Sequence, residues 1–394
     1  MIRHCDQIRL QIIDLVERHQ LGMMKGDYET GVHAMRALAN SCKKDGDVIL
    51  ILDFSNAFNS CNRNLLIKLA ATYIPEIAHL IHWLYTSEST LYLSNGEEII
   101  SSEGLHQGCG FSNILFVLLM KHVMRHVPSE GMSAKGSYLD DAFIKAKPSV
   151  ALKAFRIIKE LKAKTNLEVR NDKCHLHAPN DIIARECTKL FASEEDIKIH
   201  SDMNLKFLNT PIGTDEFVEA ELEERLQTLK KKVQAIVEMP FKMEAFTLLK
   251  ACWSRCRVMH LMRTLPPTQT QKFLTEYDQV LREGFENLIN CGLDDKWWAV
   301  ARMISKFGGM GLKSGVCTAG AQHLTSLISN AEGIKRYIPT WNLQEVSRNT
   351  TSEWLKNQLG RHVNICELIN TIASNKGFGE SGTLSLAQWC EAVQ

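Results

Sequence analysis

The chain has 394 residues, of which 45% are hydrophobic and 23% are charged, and its formal net charge is +1. This length and composition are typical of a globular protein with a large core and two or three domains. The near-zero charge argues against binding through a basic tail, but it leaves room for a basic groove confined to one region.

Twelve cysteines are scattered along the chain without regular spacing, and the N-terminal residues carry no secretory signal. We therefore expect reduced thiols in an intracellular protein. The longest apolar stretch, residues 111–120, is well short of the roughly 20 residues that cross a bilayer. It predicts a buried helix, and we expect no membrane association.

The first predicted strand follows a helical N-terminal segment. Residues 1–46 predict helices around a loop. Residues 48–52, Val-Ile-Leu-Ile-Leu, form an apolar run too short for a helix and rich in β-branched side chains. This run predicts a buried strand, and Asp53 follows it directly.

Helices and hairpins alternate in the next segment. Residues 64–69 and 77–85 predict helices, and the Asn-Gly pair at 95–96 predicts a hairpin, because both residue types accept positive φ values. A loop at residues 104–110 precedes the apolar helix. Residues 137–144 predict a second hairpin with two aspartates at its tip.

The remaining chain becomes increasingly helical. Residues 149–165 predict a helix, residues 167–169 a strand and residues 207–213 an extended turn. Beyond residue 215 the pattern is helical and more charged. Strands and hairpins followed by helices indicate the α+β class.

Three aspartates stand out by position: Asp53 at the strand end, and Asp140 with Asp141 at the hairpin tip. Each alone has an ordinary explanation, since turns and strand ends favour aspartate. Together they would gather negative charge that is costly without a cation. Carboxylates of this kind suit Mg²⁺, and two such ions can hold the attacking and leaving oxygens of a phosphoryl transfer.

The segments around these aspartates resemble motifs of reverse transcriptases of the non-LTR (LINE-like) retrotransposon kind. Residues 51–60, Ile-Leu-Asp-Phe-Ser-Asn-Ala-Phe-Asn-Ser, resemble motif A, and residues 103–109, Glu-Gly-Leu-His-Gln-Gly-Cys, resemble motif B. Residues 138–141, Tyr-Leu-Asp-Asp, are similar to the Tyr-x-Asp-Asp box.

Three later segments extend the resemblance in the same order. Residues 167–174 resemble motif D, residues 207–213 resemble motif E, and residues 307–312 match a downstream Gly-Gly-x-Gly-Leu segment. A four-residue match alone is weak evidence. Motifs A to E in the order of the family are specific.

The resemblance implies a right-hand polymerase with a palm (a small antiparallel sheet backed by helices), truncated fingers, a helical thumb and a helical C-terminal extension. The expected domains are residual fingers helices in 1–46, a palm in 47–215 with a fingers insertion at about 60–103, a thumb in 216–290 and the extension in 291–394.

The implied activity is RNA-directed DNA polymerisation with two Mg²⁺ or Mn²⁺ ions. Asp53 and Asp140 would be the main metal ligands, Asp141 would assist, and the backbone carbonyl of Phe54 would be a further ligand. Lys173 would stabilise charge near the leaving pyrophosphate and is a candidate general acid. Without the motif, Lys173 would be read as a solvated surface lysine.

The resemblance also implies three nucleotide-binding residues. Phe58 would lie under the sugar and clash with a 2′-OH, which selects deoxynucleotides. Without the motif, Phe58 would be read as a core aromatic. Gln107 and Gly108 would lie against the template and the incoming base, where glycine allows close backbone approach.

The implied partners are an RNA template, a DNA or RNA primer and dNTPs. Basic residues beyond the palm are candidates for phosphate contact: Lys230, Lys231, Lys232 and Arg255, with Arg225, Arg257 and Arg263. Such a run is also typical of a solvated helix face. The tryptophans Trp253, Trp297 and Trp298 could stack on bases, but we expect buried packing for them.

The chain departs from the family pattern at several points. Cys109 is followed by Gly110 where motif B continues with proline, and Asn166 stands where motif D commonly has glycine. An arginine-rich fingers stretch is not found. No endonuclease is recognisable either, which suggests that the chain is a piece or acts with a separate endonuclease.

Residues 174–177, Cys-His-Leu-His, and the pair Cys252 and Cys256 offer soft metal ligands. Neither has a matching second pair at zinc-finger spacing, so we expect free thiols and surface imidazoles.

Three hypotheses remain. The first is an active polymerase, which the retained aspartates favour. The alternative is a catalytically degenerate or domesticated reverse-transcriptase-like protein that binds RNA or primer–template without polymerising, which the altered motif B and the short fingers favour. The third is a relic that does not fold stably.

Overall fold

The computed structural model describes residues 12, 13, 15, 20–23, 26–254 and 256–359. The chain divides into two compact units, and the division falls between Met203 and Asn204. The first unit comprises Met1–Met203 and Arg336–Ile338, and the second comprises Asn204–Lys335 and Pro339–Gln394.

The first unit combines short strands with helices. Its strands are β1 (Val48–Leu52), β2 (Phe54–Ser55), β3 (Ser89–Tyr92), β4 (Glu98–Ser101), β5 (Met132–Tyr138), β6 (Asp141–Ala146), β7 (Glu168–Val169), β8 (His175–His177) and β9 (Lys198–His200). Its helices are α1 (Asp27–Asp45), α2 (Ala57–Ser60), α3 (Arg63–Tyr73), α4 (Pro75–Thr86), α5 (Ser112–His126), α6 (Pro148–Glu160), α7 (Lys162–Thr165) and α8 (Asp181–Leu190).

Five strands form the main sheet in the order β5-β6-β1-β8-β9. The pairs β5–β6, β6–β1 and β1–β8 are antiparallel. β8 and β9 run parallel, because the chain crosses over through α8 between them. The α+β prediction is confirmed, with this one parallel pair as a departure from a purely antiparallel sheet.

The predicted strand at residues 48–52 is β1, the centre of the sheet. Val48, Leu50 and Leu52 belong to the core that the helices share with one face of the sheet. Ile49, on the opposite face, is also fully buried. A strand covered on both faces reads as a continuous apolar run, which explains why its sequence shows no alternation.

The predicted elements around the sheet are confirmed. Helices α3 and α4 and the hairpins β3–β4 and β5–β6 lie where the sequence indicates them. The apolar stretch becomes the first turns of α5, and its residues 115–120 are fully buried. Among the described residues, no helix has the length and hydropathy that a bilayer crossing requires.

The second unit begins with a hairpin and continues as helices. The hairpin is formed by β10 (Leu205–Phe207) and β11 (Thr210–Ile212). The following helices are α9 (Asp215–Val237), α10 (Lys242–Leu248), α11 (Met259–Thr264), α12 (Pro267–Ile289), α13 (Asp295–Arg302), α14 (Ala319–Tyr337) and α15 (Leu343–Leu359).

The core of the second unit is formed mainly by α9 and α12, with Tyr277 fully buried in it. Trp253 is buried as expected, and Trp298 packs against this core while partly exposed. The expectation of burial is wrong for Trp297, whose side chain is 64% exposed. Trp297 lies on the outer face of the short helix α13, whereas the next residue, Trp298, faces the core.

Candidate active site

Asp53 and Asp141 lie at the same end of the central strand pair. In the antiparallel β1–β6 ladder, Leu52 pairs with Ala142. Asp53 and Asp141 are the next residues of the two strands beyond this pair, and the charge of Asp53 raises the pKa of Asp141. The fold thus brings together two acidic residues that are far apart in the sequence.

Asp140 belongs to the adjoining turn. Tyr138 and Asp141 pair at the end of β5 and β6, so Leu139 and Asp140 form a two-residue hairpin loop. Leu139 has a φ of 53°, in the left-handed region that is uncommon for a bulky residue. Tertiary contacts must therefore hold this turn in place.

Gln20 supplies those contacts. Its side-chain oxygen accepts hydrogen bonds from the backbone N–H of Leu139 at 2.8 Å and of Gly22 at 3.1 Å. Its amide nitrogen donates to the hydroxyl of Ser137 at 3.2 Å. Gln20 is buried, and such a polar group specifies a unique arrangement when its hydrogen bonds are satisfied.

The three carboxylates interact unfavourably. Burial raises the pKa of Asp53, and Asp140 raises it further, while the cations Lys173 and Arg170 lower it. The Asp141 carboxyl keeps contact with solvent but lies among dense surroundings. Desolvation there, followed by the charges of Asp140 and Asp53, raises its pKa to about 6.

This donor set fits divalent metal ions. Carboxylates that lie within electrostatic reach repel one another, and a cation that binds between them relieves this repulsion. Among the described residues, the oxygens of these three carboxylates do not all lie within 4.8 Å of one another, so binding would draw them closer. Carboxylate oxygens at a partly solvated strand end are the ligands that Mg²⁺ takes while keeping several of its waters. Asp53, Asp140 and Asp141 are the residues that could hold such ions.

The backbone of Phe54 is oriented compatibly with a ligand role. β2 pairs with β7 through Phe54 and Val169, and the N–H of Arg170 donates to the Asp53 carbonyl at 2.9 Å. That pattern makes Phe54 and Val169 a non-hydrogen-bonded pair, so the Phe54 carbonyl points away from β7.

The same pairing brings Lys173 near the carboxylates. Lys173 ends a short 3-10 turn, Asn171–Lys173, and its side chain is exposed. Its charge lowers the pKa of Asp53, which places the two within electrostatic reach. Asn166, at the start of this segment, has a φ of 58° and tolerates the conformation that glycine commonly supplies.

The predicted motif B loop is joined to the predicted motif A helix. Leu105 N–H donates to the Phe58 carbonyl at 2.6 Å, and Gly104 N–H donates to the Cys61 carbonyl at 2.9 Å. Gly104 has a φ of 72°, and a Cβ there would lie 2.1 Å from the carbonyl oxygen of Asn59. Only glycine allows the two segments to approach this closely.

Phe58 lies on the side of this junction. Its ring stacks on Phe116 of α5 with centroids 4.1 Å apart and an interplanar angle of 14°. Phe58 is nevertheless partly exposed, whereas Phe116 is fully buried. Phe58 therefore combines a fixed ring plane with one accessible side.

Gln107 and Gly108 are both exposed at the turn of the motif B loop. The amide of Gln107 donates to the side-chain oxygen of Asn59 at 3.4 Å. Gly108 has a φ of 87°, and neither Gly108 nor Gly110 has an atom within 4 Å of where a Cβ would stand. Open space around these glycines leaves room for a ligand at the loop.

The predicted phosphate-contacting residues divide into two groups in the second unit. Lys232 and Arg257 line a cavity of about 350 Å³, together with Lys206 and Arg225. Lys230 is partly buried and lies 4.0 Å from Glu276, and Lys231 is exposed. Arg255 lies outside the described residues.

The cavity is more basic than acidic. Arg225 donates to the backbone carbonyl of Asn209, at the tip of the β10–β11 hairpin, and Lys206 pairs with Glu221 at 2.7 Å. Burial, followed by the charges of Arg225 and Arg257, lowers the pKa of His260 to about 4, so its ring is neutral at pH 7. Arg225 donates to a neutral carbonyl at this position and not to a carboxylate.

The expectation of surface imidazoles at residues 174–177 is wrong for His177. Residues 175–177 form β8, and His177 is 3% exposed in the sheet. It lies in register with His200 of β9. A three-residue strand is too short for its alternation to be recognised in the sequence.

Sequence reasoning missed two other residues of the site, Gln20 and Asn59. The Gln20 side chain accepts a hydrogen bond from the distant Leu139 backbone, and the Asn59 side chain accepts one from the distant Gln107 side chain. Such partners leave no local pattern. The short distance between Asn59 and Gly104 could have been suspected, because glycine at a fixed motif position signals close backbone approach.

The chain was compared with known sequences and solved structures. No curated protein sequence matches the chain. Among solved structures, the chain is similar to telomerase from Candida albicans in complex with a TWJ fragment of telomeric RNA, with a TM-score of 0.46, 10% identity and coverage of 94% of this chain and 58% of that chain. It is also similar to apo telomerase from Candida tropicalis, with a TM-score of 0.40, 11% identity and coverage of 90% and 61%. The chain thus spans about three-fifths of the length of these structures.

Residues 6–211, just over half of the chain, match the family described as reverse transcriptase (RNA-dependent DNA polymerase). This segment contains Asp53, Asp140 and Asp141 and every element that positions them. The chain belongs to the reverse transcriptase family.

Proposed function

We propose that this chain is an RNA-directed DNA polymerase that extends a primer 3′ end with dNTPs on an RNA template. One observation carries the proposal: in a member of the reverse transcriptase family, Asp53 and the Asp140–Asp141 hairpin tip meet at one end of the sheet. In this proposal the five-stranded sheet is the palm.

The chemistry that two bound Mg²⁺ or Mn²⁺ ions would supply is activation of the primer hydroxyl and stabilisation of charge on the leaving pyrophosphate. Asp53, Asp140 and Asp141, with the Phe54 carbonyl, would hold these ions. Gln20 holds the hairpin turn that carries Asp140, and this would supply part of the positioning that catalysis requires before substrate binds.

The surrounding residues would orient the nucleotide. Phe58, fixed by Phe116, would present its open edge to the sugar and exclude a 2′-OH by shape. Gln107 and Gly108 would contact the template and the incoming base across their open loop. Lys173 would donate charge, and a proton where needed, toward the pyrophosphate.

We further propose that the chain is of the non-LTR retrotransposon kind. The Gly-Gly-x-Gly-Leu segment supports this, because its glycines are required by geometry. Gly308 and Gly311 have φ values of 83° and 76°, and a Cβ on Gly309 would lie 2.1 Å from the Met303 carbonyl oxygen. Leu312 is buried. Because these backbone conformations need glycine, the glycines of the segment have a structural reason, and this supports reading the segment as the motif of that kind.

A primed-template assay tests the proposed activity. The purified chain is given an RNA template, an annealed DNA primer, dNTPs and either Mg²⁺ or Mn²⁺. We expect extension with dNTPs and not with rNTPs, and loss of extension by at least about 100-fold in Asp140→Asn, because a metal ligand is removed.

Asp196→Asn is the matched control. Asp196 is exposed and has a φ of 70°, a conformation that asparagine also accepts. This variant should extend the primer like the wild type. Equal extension by wild type and Asp140→Asn would contradict the assignment of the site.

A second function is favoured by the basic cavity of the second unit, which does not depend on the carboxylates. In this alternative, the chain binds RNA or primer–template without polymerising. It predicts salt-dependent binding that is unchanged by Asp53→Asn, together with no extension by the wild type under either metal. Weaker binding in Asp53→Asn would count against it.

A further inference from the structure

Three histidines converge on the edge of the sheet away from β5. His175 and His177 are two residues apart on β8, so their side chains lie on the same face of the sheet. His200 of β9 is in register with His177. One ring nitrogen from each of the three lies within 4.8 Å of the others. Among the described residues, no other three histidine, cysteine, aspartate or glutamate side chains bring their ligand atoms this close together.

One pair of nitrogen atoms is nearly at coordination spacing. His175 Nδ1 and His200 Nε2 are 2.9 Å apart. Two imidazoles on a tetrahedral zinc, with Zn–N distances of about 2.0–2.1 Å, place their nitrogens roughly 3.3 Å apart. The gap between these two nitrogens therefore changes by only a few tenths of an ångström when an ion enters.

His177 offers a lone pair with no other use. It is 97% removed from solvent, and its Nδ1 has no hydrogen-bond partner. The backbone of Asp202 hydrogen-bonds the ring in the sense that favours a proton there, so the proton resides on Nε2. An imidazole whose second nitrogen is held by a backbone carbonyl has the tautomer and orientation of a metal ligand.

An unpartnered buried nitrogen beside two imidazoles is otherwise unfavourable. A buried acceptor without a donor costs about 1–3 kcal/mol. The Nδ1 of His177 is buried and has no hydrogen-bond partner, so an ion that accepted its lone pair would remove this cost. Neutral imidazoles are the form that binds metals.

We propose that His175, His177 and His200 form a site for a divalent transition metal ion, with Zn²⁺ as its occupant. Imidazole nitrogens suit zinc, and three of them leave a fourth position for water. The rings are now nearly parallel, with interplanar angles of 9–12°. His177 would keep its backbone hydrogen bond, and binding would turn the partly buried rings of His175 and His200 about χ2, a soft torsion for histidine, until the three nitrogens point at one centre.

The site would fasten the parallel strand pair. β8 and β9 are joined by only three register pairs at the edge of the sheet. A metal held by both strands adds a link that resists fraying. β8 also begins two residues after Lys173, and His175 pairs with Ile51 of β1, close to the carboxylate end. This zinc site is separate in donor type from the carboxylate site, which takes hard cations.

Zinc titration of the metal-stripped full chain tests the proposal. We use His200→Gln and His175→Gln, because both side chains are only partly buried and the variants should fold. Calorimetry should show that either change weakens the tightest zinc site by more than the 10- to 100-fold that loss of an outer-shell partner costs. The melting temperature without metal checks that the variants are folded.

His79→Gln is the control, since His79 is exposed on α4 outside the cluster. It should bind zinc like the wild type. Cobalt substitution gives a second measurement, because tetrahedral nitrogen ligation produces visible absorption that the two cluster variants should lose. Equal zinc affinity and equal cobalt spectra in the wild type, His175→Gln and His200→Gln would overturn the proposal.

Discussion

At the scale of single residues, the carboxylate site stores unfavourable charge. The pKa of Asp141 is raised from its ordinary value of 3.8 to about 6 by desolvation and by the charges of Asp140 and Asp53. A carboxyl whose folded-state pKa exceeds its unfolded value binds protons more tightly in the folded state. Its ionisation therefore destabilises the fold at neutral pH, and this destabilisation disappears as the pH falls from about 6 to about 4.

We expect Asp141→Asn to stabilise the metal-free protein at pH 7. Raising the pKa of Asp141 from 3.8 to about 6 corresponds to a change in the free energy of unfolding of no more than about 3 kcal/mol. Solvent screening of this exposed carboxylate reduces the change to the order of 1 kcal/mol. The gain in free energy of unfolding should shrink towards zero between pH 6 and pH 4. Chemical or thermal unfolding of the chelator-treated protein at several pH values measures it.

Mg²⁺ provides the internal control for this prediction. The wild type should be stabilised by added Mg²⁺ more than Asp141→Asn, because the variant lacks one of the proposed metal ligands. Asp196→Asn should show neither the gain at pH 7 nor the altered response to Mg²⁺. If Asp141→Asn were less stable than the wild type at pH 7 without metal, the repulsion argument would fail.

Residues of the candidate site could be predicted from the sequence when a pattern in their own segment marked them, and not when their role came from distant contacts. Asp53, Asp140 and Asp141 could be singled out from a strand end, a hairpin tip and their resemblance to known motifs. Gln20 could not, because its role comes from hydrogen bonds to Leu139 and Ser137 across the fold. The same reason hid the neighbourhood of His177 and His200.

At the scale of elements, the junction between the motif B loop and α2 depends on one glycine. Gly104 combines a positive φ with a backbone contact that no Cβ can enter. Gly96, in the β3–β4 turn, also has a positive φ, but no atom lies within 4 Å of its Cβ position. Substituting Gly96 therefore tests the free-energy cost of the positive φ alone, and substituting Gly104 tests that cost together with the cost of the close contact.

We expect Gly96→Ala to lower the free energy of unfolding by about 1–2 kcal/mol, the cost of a left-handed alanine. Gly104→Ala should cost at least about 2 kcal/mol more, because the motif B loop must also move away from Asn59. Parallel denaturant unfolding of the two variants measures the difference. Equal losses would show that the close approach carries no energy of its own.

Element prediction succeeded where a segment was long or its turn chemistry was specific. The sequence predicted a strand at β1 from its continuous apolar run and a hairpin at β3–β4 from its Asn-Gly turn. It also predicted a buried helix at α5 from its long apolar stretch. β8 and β9, with three residues each, are defined by their neighbours rather than by their own sequence. Their parallel pairing depends on α8, which the sequence did not reveal as a separate crossover.

At the scale of the whole molecule, the net charge of +1 conceals local concentration of charge. The cavity of the second unit gathers Lys206, Arg225, Lys232 and Arg257 against two glutamates, Glu221 and Glu224. Nucleic-acid affinity depends on the number of phosphates that such cations neutralise, rather than on the total charge.

Adjacent lysines on α9 test whether this cavity binds the nucleic-acid backbone. Both lysines are exposed, but Lys232 lines the cavity and its neighbour Lys231 does not. We expect Lys232→Ala to weaken binding of RNA of any sequence and to reduce the slope of log K against log salt by roughly 0.7–0.9, one phosphate contact. Lys231→Ala should leave the slope unchanged. Salt titrations of fluorescent RNA measure both, and equal slopes for the two variants would show that the lysine run acts as a diffuse charged face rather than through the cavity.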